Sequence, residues 1–178
     1  ASNTAVTWGA VCIRLATMLS AIRLRILSCG IISEPAVREA GFAAIKKVPQ
    51  VNSRWFDEHL EVFQHINMGI GTALGDQGLI VPVIQQAQNM DLRAIAAELA
   101  DLTGRARENK LKPGDVRDGT FTISNHGVSG SLIATPIIIN QPQSAILGVG
   151  KIEKRVKILE IDGEDVVTIR PMCYLSLT

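Results

Sequence analysis

The sequence predicts an α+β domain, with helices and strands in separate runs and not in strict alternation. Three observations carry that prediction. The apolar period changes from helical to two at Val62, returns to helical after Asp91, and stays strand-like from Thr120 to the end. The length of 178 residues fits one domain (1–178) with a single core, and no repeat or low-complexity linker divides it. Hydrophobic residues make up 47% and aromatics only 4%, so the core is built from Ile, Val, Leu and Ala; with 20% charged residues, disorder is excluded.

Taken in order, the first 33 residues contain no Asp or Glu and mix Arg14, Arg23 and Arg25 with Ser and Thr, a composition shared with transit peptides. Val11, Leu15, Met18, Leu19 and Ile22 recur at helical spacing, and the reading preferred for this stretch is an ordinary packed helix. Ser33-Glu34-Pro35 reads as a helix start, Val37, Ala40, Ala44, Ile45 and Val48 as its buried stripe, and Pro49 as its stop. Val62, Ile66, Met68, Ile70, Thr72 and Leu74 share one face of a predicted strand, and Gly75-Asp76-Gln77-Gly78 turns it into a hairpin with Leu79 to Ile84. Asp91 caps a second helix whose buried side is Leu92, Ile95, Ala96, Leu99 and Leu102, with Pro113-Gly114 ending that region. Strands are predicted over Thr120 to Ser124, Ser144 to Gly148, Arg155 to Ile161 and Val166 to Leu177, with a turn at Asp162-Gly163. The strand-like ending at Met172 to Thr178 carries no turn or cap, which predicts that the natural chain continues.

Several function classes have little support. Eighteen Lys and Arg against 17 Asp and Glu give a net charge of +1, too little for a general grip on nucleic acid. No run of 18 apolar residues exists to span a membrane. Cys12, Cys29 and Cys173 are too few and too scattered for a disulfide framework or a zinc site, and suit a reducing compartment. His59, His65 and His126 lack metal-ligand spacing, so no metal is expected.

Two motifs invite chemistry. Gly69-Ile70-Gly71-Thr72-Ala73-Leu74-Gly75 is glycine-rich, but its third glycine comes a residue late for a dinucleotide fingerprint and a strand follows where that fingerprint needs a helix. Close strand approach and a tight turn explain it better. Ser124-Asn125-His126-Gly127 ends an apolar strand, and a hydroxyl fixed there could act as nucleophile or oxyanion donor. His126 shares a strand face with Ser124, though neighbouring parallel side chains seldom place a base nitrogen on a hydroxyl. Polar residues lining a turn are the plainer alternative. Two basic clusters, one at Arg105, Arg107, Lys110 and Lys112 and one at Lys151, Lys154, Arg155 and Lys157, read as a helix-end complement and a solvated edge strand.

The segments Gly119-Thr120-Phe121-Thr122-Ile123-Ser124-Asn125, Gly127-Val128, Gly130-Ser131-Leu132, Thr135-Pro136-Ile137-Ile138 and Pro142-Gln143-Ser144-Ala145-Ile146-Leu147-Gly148 together resemble the catalytic domain of 2-oxo acid dehydrogenase dihydrolipoyl acyltransferases. Val51-Asn52-Ser53-Arg54-Trp55, Asn67-Met68-Gly69-Ile70, Gly78-Leu79-Ile80-Val81-Pro82-Val83 and Pro171-Met172-Cys173-Tyr174-Leu175-Ser176-Leu177-Thr178 extend the likeness from about Ala36 to Thr178, leaving residues 1–35 poorly matched. The resemblance implies a chloramphenicol-acetyltransferase-like fold with a mixed sheet and packed helices. It implies a homotrimer that assembles into a larger cage, and transfer of an acyl group between dihydrolipoamide and coenzyme A. Succinyl is slightly favoured and acetyl comes next. Ser124 is implied to hydrogen-bond the tetrahedral oxyanion, with Asn125, Gly150 and Ile152 beside coenzyme A. Partners so implied are a lipoyl domain outside this chain and the decarboxylase and dihydrolipoamide dehydrogenase subunits, with no nucleic acid and no membrane. The setting is bacterial cytoplasm, or alternatively a mitochondrial matrix. The family's general-base histidine lies in an Asp-His-Arg motif just past the strand matching Tyr174 to Thr178, so the chain as written lacks it. A non-catalytic scaffold of the same cage is the alternative.

Overall fold

Asp91 sits in extended backbone and its carboxylate accepts the N–H of Ala94 at 2.7 Å, which satisfies one of the donors that every helix start leaves open. That cap begins one of two helices in the computed structural model, which describes residues 34–56, 58–161 and 163–178. The helical pattern of Val11, Leu15, Met18, Leu19 and Ile22, and its targeting alternative, lie outside the described residues. Helix α1 spans Glu34–Lys47 and α2 spans Leu92–Arg107. Pro49 opens a short 3-10 turn where it was expected to stop the first helix. Ala44, Ile45 and Val48 are buried as expected, while the side chains of Val37 and Ala40 lie outside those described. On α2, Ile95, Leu102 and Ala106 are buried, but Leu92, expected on the buried side, faces solvent in the first turn.

Among the described residues there are ten strands: β1 Ser53–Trp55, β2 Leu60–Val62, β3 Met68–Ala73, β4 Leu79–Ile80, β5 Val83–Ile84, β6 Phe121–Asn125, β7 Ile146–Val149, β8 Glu153–Ile161, β9 Glu164–Met172 and β10 Leu175–Leu177. β1 was not expected, and the strand expected from Val166 to Leu177 is two, β9 paired with β8 and β10 paired with β7 in the main sheet. The long strand expected from Val62 to Leu74 is two elements. Val62 pairs with Ser53 in a separate β1–β2 hairpin, and β3 starts only at Met68. The division has a physical cause at Asn52 and Asn67. Asn52 donates to the carbonyls of Phe63 and His65. Asn67 donates to the carbonyl of Asp118 and accepts the N–H of Gln86. These side chains satisfy backbone groups that a continuous ladder would have used. The expected β3 to Ile84 hairpin is present, its second arm interrupted at Pro82 between β4 and β5. Gly75 and Gly78 lie at φ +62° and +95°, where a side chain would be strained.

The main sheet runs β10-β7-β6-β3-β4, with β5 also on β3. Strands β3, β6 and β7 are parallel, while β4, β5 and β10 are antiparallel to their neighbours, so the sheet is mixed. One face carries Met68, Ile70, Phe121, Ile123, Leu147 and Val149, which pack with Phe42, Ile45, Ile95 and Leu102 of the helices into one core. The 126–145 segment is the crossover between parallel β6 and β7, and it contains no long helix. It folds over the opposite face, where Ile137 reaches Gly148 and Gln143 reaches Thr122. Among the described residues no helix is long and apolar enough to cross a membrane.

The basic end of α2 is held by acids. Arg105 pairs with Asp101 at 2.7 Å and with Asp115. The backbone N–H of Lys112 and then the Arg105 guanidinium hold the Asp115 carboxyl below its ordinary 3.8. A carboxyl depressed in the folded state stabilises above its unfolded value and loses that contribution as pH falls through the folded value. The stability gap between the natural protein and Asp115→Asn should therefore be constant above pH 3.8 and shrink below it. Chemical unfolding followed across that range measures it, and a gap that does not change with pH would count against the pairing.

Candidate active site

Strand β6 alternates between two environments. Phe121 and Ile123 enter the core, and Thr122 and Ser124 point to the other face. The registers place Gly71, Ser124, Gly148 and Ser176 in one row across β3, β6, β7 and β10. One row down stand Gly69 and Thr122. Glycines and hydroxyls thus make up the row of Ser124, while Ile146, in register with Thr122, adds an apolar side chain to the next row. The glycines of the rejected dinucleotide motif serve strand approach: a Cβ on Gly69 would lie 2.7 Å from Thr122 Oγ1 and 2.9 Å from Val81 Cγ1.

Ser124 is half-buried at the C-terminal end of the central parallel strand, and its hydroxyl takes no part in the side-chain hydrogen bonds among the described residues. Its two neighbours in the row differ. At Gly71 the nearest atom to an added Cβ is Ser124 Oγ at 3.6 Å, an ordinary contact, so one more carbon fits beside the hydroxyl. At Gly148 an added Cβ would overlap Ser176 Oγ and Ile137 Cδ1 and come within 3.3 Å of His126 Nε2. The Ser176 hydroxyl donates to the carbonyl of Ala134 at 2.7 Å, which fixes the crossover segment above β7.

After Asn125 the chain makes a 3-10 turn at Gly127–Ser129, with Gly130 at φ +88°. Backbone packs on backbone here. A Cβ on Gly127 would lie 2.5 Å from Gly150 O and Lys151 N, and one on Gly150 would strike the carbonyl of Leu132. Gly150 N–H donates to Tyr174 O at 2.9 Å and Lys151 N–H to Ser131 O at 2.8 Å. The structure thus gathers Ser124, Asn125 and Gly150 at one edge of the sheet, with Asn125 in register with Val149 and Gly150 buried beneath Leu132. Ile152 lies two residues further on and is exposed.

His126 does not pair with Ser124. Both of its ring nitrogens are buried without a hydrogen-bond partner, and Nε2 lies near Gly148. The dyad that would make a self-contained hydrolase is not formed. His59 stacks on Phe56 and His65 lies tilted against Phe63, both histidines exposed by the β1–β2 hairpin. Among the described residues no group of three metal-ligating side chains comes together.

Sequence reasoning passed over Gln143. It is buried, its Oε1 accepts from Thr122 Oγ1 at 2.6 Å, and it lines a cleft of about 600 Å³ with Arg54, His65, Gln85 and Thr120 at the start of β6. No local signal pointed to it, because its partner Thr122 lies 21 residues away on β6. Thr122→Val removes the donor and leaves a buried amide oxygen unpaired, so it should cost about 1–3 kcal/mol in chemical unfolding. A neutral result would show that the oxygen is satisfied by water.

Residues 33–178 match the sequence family described as 2-oxoacid dehydrogenases acyltransferase (catalytic domain). The chain belongs to that acyltransferase family. Among acyltransferase relatives, it is 40% identical over 145 residues to the dihydrolipoyllysine-residue acetyltransferase component of the pyruvate dehydrogenase complex of Corynebacterium glutamicum, covering 81% of this chain and 21% of that protein. It is 41% identical over 140 residues to the dihydrolipoyllysine-residue succinyltransferase component of the 2-oxoglutarate dehydrogenase complex of Rickettsia typhi, covering 79% and 34%. The cubic core of a pyruvate dehydrogenase multienzyme complex superposes with a TM-score of 0.72 at 29% identity, covering 95% of this chain and 67% of that one. The described acyltransferase domain therefore spans about a fifth to a third of the length of the two curated relatives. The mixed α+β architecture is that of the family's catalytic cores.

Proposed function

We propose that this chain is the core of an acyltransferase of a 2-oxo acid dehydrogenase complex, passing an acyl group between dihydrolipoamide and coenzyme A. The observation that carries the reading is the Ser124 hydroxyl, without a hydrogen-bond partner among the described residues and presented near the end of the central parallel strand beside Gly71, where no side chain covers it. Thiol attack on a thioester develops negative charge on the carbonyl oxygen, and a fixed hydroxyl donor stabilises that charge more than it stabilises the substrate. Ser124 acts electrostatically in this scheme. Asn125, Gly150 and Ile152 line the coenzyme A side of the same edge.

Among the described residues none of His59, His65 and His126 is hydrogen-bonded to the Ser124 hydroxyl. That geometry also favours a second reading, a scaffold that keeps the assembly without turnover. The resemblance supports a homotrimer built into a cage and served by a lipoyl domain and the decarboxylase and dihydrolipoamide dehydrogenase subunits. Bacterial relatives support a cytoplasmic setting. The acyl group is succinyl in preference to acetyl, a choice supported only by the look of the Gly130-Ser131-Leu132 and Pro142 to Gly148 segments.

Transfer from succinyl-CoA and from acetyl-CoA to dihydrolipoamide, measured on the full protein, tests both readings. Turnover with either donor supports the enzyme, and the ratio of kcat/KM values settles the acyl group. A correctly assembled protein without turnover on either donor leaves the scaffold.

A further inference from the structure

His126 carries hydrogen-bonding capacity that the described residues leave unused. Both of its ring nitrogens are shielded from water, and neither has a partner. Shielding a polar atom unpaired is costly, so packing alone gives no reason for an imidazole here. Nε2 shares the space over Gly148 with Ile137 Cδ1 and the Ser176 hydroxyl, and that hydroxyl already donates to Ala134 O. A leucine would fill about the same volume without leaving a nitrogen unpaired.

The place of the ring gives it a use. Gly148 is in register with Ser124 on the neighbouring parallel strand, and such strands run about 4.8 Å apart. Nε2 comes within 3.3 Å of where a Gly148 Cβ would stand. The imidazole therefore borders the row of Ser124 on the side away from Gly71. A thioester whose carbonyl sits at Ser124 can extend its acyl chain along that row. An acetyl group ends at the first carbon beyond the carbonyl. A four-carbon acyl group puts its last carbon about 3.8 Å from the carbonyl carbon, the span of three bonds in an extended chain. That length carries a terminal carboxylate toward His126 and leaves an acetyl methyl short of it.

The charge at this edge suits an anion. The Lys151 backbone lies against the Gly127 turn, and its ammonium is 4.0 Å from Glu153. Glu153 is held more closely by Arg155, at 2.6 Å. An imidazole in any protonation state offers at least one N–H to a carboxylate. Turning toward it about the Cα–Cβ bond, the ring loses no hydrogen bond, and a charged acceptor makes the new one strong.

We infer that His126 sets the acyl specificity of the Ser124 site by selecting four-carbon acyl groups that end in a carboxylate. The inference rests on the acyltransferase reading and names its substrate class.

Binding and turnover of the full protein test the two separately. Succinyl-CoA and butyryl-CoA carry acyl groups of equal length that differ at the last carbon, carboxylate against methyl. Calorimetric titration without dihydrolipoamide should show succinyl-CoA bound about thirtyfold tighter, the scale of one hydrogen bond to a charged group. His126→Leu should erase that preference by weakening succinyl-CoA alone, with butyryl-CoA binding and the unfolding transition unmoved. His126→Gln, which keeps an N–H donor, should retain most of the preference. The same pattern is expected in kcat/KM for transfer to dihydrolipoamide. Equal binding of the two donors by the natural protein, or a preference that survives His126→Leu, overturns the inference. Equal weakening of both donors by His126→Leu makes the residue structural and overturns it too. The expected binding pattern without turnover of either donor supports the specificity and overturns the acyltransferase reading. Binding of neither donor overturns both.

Discussion

Ser124→Ala in the full protein is expected to lower acyl-transfer turnover by roughly a hundredfold or more, the scale of losing one oxyanion donor, with the unfolding transition unmoved. Both halves of that expectation come from the site. The Ser124 hydroxyl is bonded to no other described group, so its removal breaks no hydrogen bond in the protein and leaves no orphan behind. Its use lies in the tetrahedral intermediate, where the negative oxygen forms beside it. A donor of that kind lowers kcat and kcat/KM together and leaves the KM for coenzyme A near its original value. Steady-state kinetics with acyl-CoA and dihydrolipoamide, alongside chemical unfolding, measure the two halves. Near-normal turnover would remove Ser124 from the chemistry. A fall in turnover matched by a fall in stability would make its role structural.

Gly150→Ala is expected to be the most damaging single methyl in the domain. The atoms in its way are main-chain: the Leu132 carbonyl in overlap, Leu132 C at 2.9 Å and Tyr174 O at 3.2 Å. A flexible side chain can swing away from an added Cβ, but these groups are held by the Gly150 N–H bond to Tyr174 O and the Lys151 N–H bond to Ser131 O. Relief requires parting the crossover segment from the β7–β8 link and giving up those bonds. Overpacking at about 1–3 kcal/mol with two backbone bonds at about 1 kcal/mol each comes to about 3–5 kcal/mol, a large share of the stability of a typical domain. The Gly127 turn rests on the carbonyl of Gly150 itself, so the edge carrying Ser124 and Asn125 is disturbed as well. Gly71→Ala is the comparison, since its added Cβ meets nothing closer than 3.6 Å. Its unfolding free energy should stay within about 1 kcal/mol of the original, alanine being no worse than glycine in a strand. Equal stability losses in the two variants would show that the backbone contact at Gly150 relaxes freely.

Much of the fold was legible because its signals are local. Asp91 caps α2, Pro49 follows α1, and Gly75 and Gly78 take the positive φ that their turn requires, each within a few residues of the element it governs. The ordered motifs from Asn67 through Gly148 identified the family for the same reason. The break between β2 and β3 was not legible, because it depends on Asn52 and Asn67 bonding backbone groups far along the chain.

By itself the sequence determined an α+β fold of the acyltransferase family, and that Ser124 stands near the end of an apolar strand. Only the tertiary structure decided what surrounds that serine. Period two tells which residues of one strand share a face, but it says nothing about which residues of other strands lie beside them. The row Gly71, Ser124, Gly148 and Ser176 is set by registers between residues 24 to 53 apart, and so is the room for one more carbon at Gly71 but not at Gly148. The separation of His126 from Ser124 and the outward turn of Val156, Ile158, Val167 and Ile169 have the same origin. Alternation fixes two faces, and packing against the rest of the chain chooses which of them meets water.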